Sequence, residues 1–103
     1  GLFRQATINL VRNAREAMSD GGSLCVFVRA ASGRGVDVVI EDDGPGIPEG
    51  IRASVFDPFF TTKQRGTGLG LAVTREIVEA HGGTIACEPR EGGGTRFVIH
   101  LGA

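Results

Sequence analysis

The sequence predicts an α+β fold: a two-layer α/β sandwich, with helices on one face of a mixed, mainly antiparallel sheet. Three observations carry this prediction. One stretch of helical periodicity opens the chain and a second follows its middle. After each helix come two β-rich runs joined by a short glycine-containing turn, the pattern of hairpins rather than of strand–helix–strand crossovers. The length, 103 residues, allows one domain and one core, so residues 1–103 are read as a single unit.

Residues 2–19, "LFRQATINLVRNAREAMS", place Phe3, Ala6, Leu10, Ala14, Ala17 and Met18 on one apolar arc. Asn9, Asn13 and Glu16 fall together beside that arc, while Arg12 and Arg15 point elsewhere, towards water. "SDGG" stops the helix. "SLCVFVRA" (23–30) and "VDVVIED" (36–42) form a hairpin across the "ASGRG" turn. "DGPGIPEG" is a rigid loop, and "IRASVF" can make one or two helical turns. "DPFFTTKQRGTG" has no period and reads as a long connection. From Leu69 the helical period returns, with Leu69, Val73, Ile77 and Ala80 on one stripe and Leu71 and Val78 on another side. "HGG" ends this helix, with Gly82 or Gly83 available for a left-handed cap. "TIACEP" and "TRFVIHL" form the second hairpin, joined by "REGGG". The chain begins inside a helix and ends with a strand, so it is expected to be a piece of a longer protein.

Composition excludes several classes. A net charge of −1 argues against a nucleic-acid binder. The apolar runs fall well short of the ~18 residues of a membrane span, and no signal peptide is visible. Cys25 and Cys87 have no metal-ligand or redox spacing and read as small buried hydrophobes, which fits a reducing compartment.

Taken singly, the motifs leave alternatives open. "GTGLGLAV" (66–73) lacks both the G-x-G-x-x-G spacing of a dinucleotide fold and the G-K-[ST] of a P-loop. It fits a hinge as well as a helix start that receives an anion. "EDDGPGIP" places Asp42, Gly44 and Gly46 in D-x-G-x-G spacing at a strand end. There a carboxylate can accept from an exocyclic amine, and the glycines leave room for a flat ring; an acidic turn is the alternative. Thr95 of "GGGTRF" offers a hydroxyl to the same pocket or simply starts a strand. Asn9 and Asn13, one turn apart, are poor helix formers. They are either solvated or suited, as hard neutral oxygen donors, to Mg²⁺ in a phosphate site.

Together and in order, "NLVRNAREA", "DDGPGIP", "FDPFFTTK", "GTGLGLAV" and "GGGTRF" resemble the boxes of the catalytic, ATP-binding domain of bacterial sensor histidine kinases. These belong to the GHKL superfamily, with the Bergerat fold. The wording of "FFTTK" and "NAREAM" is most similar to the nitrogen-regulation-type kinases. The resemblance spans nearly the whole chain. It implies that Asn13 coordinates a Mg²⁺ bridging the ATP phosphates and that Asn9 supports the phosphate region. It implies that Asp42 binds the adenine amino group, with Gly44, Gly46 and Ile47 beside the ring and Thr95 assisting. Gly66, Thr67, Gly68, Leu69, Gly70 and Leu71 would hold the phosphates. Residues 49–66 would form an ATP lid, with Phe59 and Phe60 as its aromatic box. Lys63 and Arg65 would be phosphate partners, Lys63 with a catalytic role alongside Asn9 and Asn13.

ATP-hydrolysing GHKL relatives resemble one another in having a glutamate base one turn before the Mg²⁺-binding asparagine. Here that position is Asn9, and a neutral amide takes no proton from water. The departure favours transfer to a histidine, whose neutral imidazole is already nucleophilic. His81 and His100 lack the context of an acceptor and read as structural. The resemblance therefore implies an acceptor on a separate dimerisation domain of the same protein. It also implies a response regulator downstream, a cytoplasmic location without direct membrane contact, a monomeric fragment and a homodimeric parent. The rival readings are a nucleotide-binding or sensing module without phosphotransfer, and a GHKL ATPase.

Overall fold

The computed structural model describes residues 2–18, 21–57 and 70–102, with backbone only at residues 2, 3 and 17. Their elements run α1 (Leu2–Ala17), β1 (Leu24–Ala30), β2 (Val36–Asp42), α2 (Glu49–Arg52), α3 (Gly70–Ala80), β3 (Thr84–Pro89) and β4 (Thr95–Leu101). The strands form a sheet in the order β1-β2-β4-β3. Every described pair is antiparallel, so the parallel component that a mixed sheet would need is not among the described residues. Both predicted hairpins form, and β2 and β4 meet at the centre.

The register decides what lies on each face. Opposite one another stand Val38 and Ile99, Ile40 and Phe97, Asp42 and Thr95. The first two rows belong to the core, which also takes in Leu10 of α1, Val78 of α3, and Val55 and Phe56 from the turn after α2. Phe56 meets Phe97 edge-on, ring centres 6.0 Å apart. Each such fully buried side chain contributes about 1.5–3 kcal/mol. Ala6, Leu10 and Ala14 of the predicted arc are buried, and Arg12 and Arg15 are exposed as expected. The small residues Ala6 and Ala14 on that arc suit close packing of α1 against α3.

Two readings of burial need correction. On α3 the buried residues are Thr74, Ile77 and Val78, whereas Val73 and Ala80 of the predicted stripe are exposed. Thr74 is buried because its hydroxyl donates to the Gly70 carbonyl at 2.8 Å, an internal bond that hydropathy does not reveal. Cys25 is exposed, because it lies on the helix-free face of edge strand β1; Cys87 faces the core and is half-buried.

α3 ends in a Schellman motif. Gly83 N–H donates to the Val78 carbonyl at 3.0 Å and Gly82 N–H to the Glu79 carbonyl at 3.0 Å, with Gly82 at φ +79°. The helix-free face of the sheet is laced with ion pairs. Arg96 Nε lies 2.6 Å from Glu41, and His100 Nδ1 lies 2.9 Å from Asp37, which Arg29 also meets at 3.4 Å. His81 bonds through Nδ1 to the Ile77 carbonyl at 2.8 Å. Among the described residues no helix is long and apolar enough to cross a membrane.

Candidate nucleotide site

The core turns polar in one step. Beyond the Ile40–Phe97 row, the next row on the same face is Asp42 and Thr95, only 4% and 5% exposed. A buried carboxylate is costly unless it is hydrogen-bonded. Asp42 Oδ1 accepts from the Gly44 N–H at 2.9 Å, an Asx turn that bends the chain out of β2. No described residue bonds the second oxygen. Asp42 is thus held at the strand end, one oxygen committed to the loop and one available to a donor.

Two glycines shape the surroundings. Gly46 adopts φ +80°, and a Cβ there would lie 3.3 Å from the Gly94 carbonyl oxygen. Gly94 adopts φ +110°, and a Cβ there would collide with the Asp42 carbonyl and come within 2.9 Å of the Asp43 Cα. The loop after β2 and the turn before β4 therefore touch backbone to backbone, which only glycine permits. Ile47 packs against the core from this loop, and Leu71 does so from the first turn of α3. Asn9 and Asn13 are half-buried on α1. Gly22 ties the end of that helix to the loop: a Cβ there would lie 2.6 Å from both Met18 Sδ and Asp43 Oδ1.

The structure thus brings Asp42, Thr95, Gly44 and Gly46 together. Phe59, Phe60, Lys63, Arg65, Gly66, Thr67, Gly68 and Leu69 lie outside the described residues. Gly70 is the first residue of α3 and is exposed. Gly94 and Asp43, whose backbones meet at this corner, are not among the sequence-predicted residues. The third glycine before Thr95 was a signal for Gly94, since a plain hairpin turn does not require it. Asp43 carries no local signal. Nearby, burial pushes the Cys87 thiol up to about 11, against the pull of the Arg52 cation, so this cysteine is a neutral thiol at pH 7. Among the described residues no group of three or more His, Cys, Asp or Glu is placed to hold a metal.

The family described as histidine kinase-, DNA gyrase B- and HSP90-like ATPase matches residues 1–103. The chain belongs to this family. Within the HATPase family it falls with the sensor histidine kinase catalytic domains. It is 44% identical over 103 residues to the C4-dicarboxylate transport sensor protein DctS of Rhodobacter capsulatus, covering 97% of this chain and 16% of DctS. The catalytic domain of histidine kinase ThkA superposes with a TM-score of 0.85 at 41% identity, over 98% of this chain and 66% of that one. Full-length ShkA in complex with AMPPNP superposes with a TM-score of 0.82 at 29% identity, over 100% of this chain and 22% of that one. ThkA has also been solved in complex with the response regulator protein TrrA, matching at 38% identity and a TM-score of 0.77 over 95% of this chain and 27% of that one. The four-stranded sheet with helices on one face is the fold of these catalytic domains. As a HATPase domain, the chain binds ATP. It spans about a sixth of the length of DctS, 16%.

Proposed function

We propose that this domain binds Mg-ATP and donates the γ-phosphoryl group to a histidine on a separate dimerisation domain of the parent protein. The observation that carries the reading is the buried Asp42, held by Gly44 and with no described residue bonded to its second oxygen, at the polar end of the β2–β4 core face. That oxygen can accept from the 6-amino group of adenine but not from the 6-oxo group of guanine, which offers no hydrogen there. Thr95 adds a hydroxyl directly opposite Asp42, and Gly44, Gly46 and Ile47 would lie beside the ring.

Asn13 supplies the amide oxygen for magnesium. Magnesium takes few protein ligands when phosphates and water fill its shell, so one amide suits it. When bound, the ion neutralises charge on the phosphates. Asn9 would hydrogen-bond in the phosphate region, Lys63 and Arg65 would be cationic partners of the phosphates, and Gly66, Thr67, Gly68, Leu69, Gly70 and Leu71 would hold the phosphates. In the transfer the neutral imidazole nitrogen attacks the γ-phosphorus. The bond to the β,γ-bridging oxygen breaks, and ADP leaves with the electron pair. Asn9 cannot accept a proton, so water is not activated and the phosphoryl group goes to the imidazole rather than being hydrolysed.

The parent is proposed to be a homodimer acting on a response regulator, as ThkA is found with TrrA, and to be of the nitrogen-regulation type. The test is incubation with γ-labelled ATP, with and without the native dimerisation segment. Acid-labile phosphohistidine formed only when both are present supports the reading; steady phosphate release by the domain alone refutes it in favour of an ATPase. Equal binding of ATP and GTP removes the assignment of Asp42.

A further inference from the structure

The two ends of the proposed site sit on different elements. Asp42 closes β2, whereas Asn13 lies on α1. Asp43 follows Asp42 directly and approaches the end of α1 at Gly22. Its Oδ1 accepts from the Ser23 N–H at 2.8 Å, and its own N–H donates to the Ser23 carbonyl at 3.2 Å. This clasp lies one residue beyond the last ladder pair of the hairpin, Leu24 and Asp42. It is also where α1 arrives. Met18 N–H donates to the carbonyl of Ala14, the residue after Asn13, at 3.1 Å. Gly22 lies beside both Met18 Sδ and Asp43 Oδ1, each 2.6 Å from where a Cβ would stand. On its other side the Asp43 backbone abuts Gly94. Gly22 therefore stands between Met18, at the end of the Asn13 helix, and Asp43, which adjoins Asp42.

We propose that Asp43 is a positioning residue for the nucleotide. Its clasp on Ser23 sets the distance between the adenine end of the site at Asp42 and the phosphate end at Asn13, a distance one bound nucleotide has to match. The inference rests on the nucleotide reading above. It separates from a purely structural role for Asp43 in one respect. Loss of a structural bond lowers the melting temperature but leaves the affinity of folded molecules intact. Loss of spacing weakens a ligand that spans both ends more than one that touches the adenine end alone.

The experiment is titration calorimetry on the 103-residue chain, well below its melting temperature, with Mg-ATP and with adenosine. Asp43→Ala is expected to weaken Mg-ATP about tenfold, the scale of one charge-assisted hydrogen bond, and adenosine by less than about threefold. Asp43→Asn keeps an acceptor oxygen and is expected to bind Mg-ATP within about twofold of the parent. Gly22→Ala, which forces a methyl between Met18 and Asp43, provides a second perturbation and is expected to follow Asp43→Ala. Unchanged Mg-ATP affinity in Asp43→Ala with a lowered melting temperature overturns the proposal. So does an equal loss for both ligands, or a loss in Asp43→Asn as large as in Asp43→Ala. Asp42→Ala separates the two levels: if it too binds Mg-ATP like the parent, the nucleotide reading falls, whereas if only Asp43→Ala is silent, the positioning role falls alone.

Discussion

Gly93 and Gly94 form a matched pair from which the steric demand of the site can be isolated. Both hold nearly the same left-handed backbone, φ +112° and +110°. An alanine at either position carries the same kind of conformational penalty, about 1–2 kcal/mol. Their surroundings differ completely. A Cβ at Gly93 meets nothing within 4 Å, whereas at Gly94 it runs into the Asp42 carbonyl and to within 2.9 Å of Asp43 Cα. Those atoms are backbone and cannot swing aside, so the end of β2 has to move, at a further cost of about 1–3 kcal/mol for an overpacked contact. Gly93→Ala is therefore expected to lower the melting temperature by roughly 4–16 °C, at about 4–8 °C per kcal/mol for a domain of this size. Gly94→Ala is expected to lower it further. Only Gly94→Ala shifts the Asp42 carboxylate, so only it weakens Mg-ATP, by about tenfold, the loss of roughly one hydrogen bond of 1.4 kcal/mol. The assay is calorimetric titration of both variants at a temperature where both are folded. Equal ATP affinities in Gly93→Ala and Gly94→Ala refute the claim that backbone contact at Gly94 places Asp42.

Leu10→Ala removes a side chain with no exposure at the α1–sheet interface and is expected to cost about 2–5 kcal/mol in urea unfolding, without changing which nucleotide is bound. With an alkylating reagent at pH 7.5, Cys25 is expected to react in the folded protein and Cys87 only on unfolding, as read by mass spectrometry of tryptic peptides; the reverse order contradicts the assigned faces. The Asp37 carboxyl is held below its ordinary 3.8, first by the hydrogen bond from His100 and then by Arg29, against partial burial. A carboxyl lowered by folding stabilises above its unfolded value, and that contribution fades as pH drops through the folded one. Below pH 3.8 the parent should therefore lose stability more steeply than Asp37→Asn, and parallel acid curves would remove the role of this pair.

The strands that carry Val38, Ile40 and Asp42, and Thr95, Phe97 and Ile99, are legible as β-rich runs bounded by turn residues, while the face each residue takes comes from the pairing. The caps were legible because glycine marks left-handed backbone, as Gly82 does. The buried stripe of α3 was not, since Thr74 is admitted to the core by a bond to its own helix. Nor was the exposure of Cys25, since a strand's sequence does not state whether it lies at the edge of a sheet.

The sequence by itself determined the element order, both hairpins, and the residue types proposed to recognise a nucleotide, because these rest on local periodicity, turn chemistry and the donor or acceptor character of single side chains. Only the tertiary structure decided that β2 and β4 adjoin, since their pairing spans more than half the chain and no local pattern encodes it. That one pairing sets Asp42 opposite Thr95. It brings Gly94 against the Asp42 carbonyl. It turns two separate strand ends into one buried polar site.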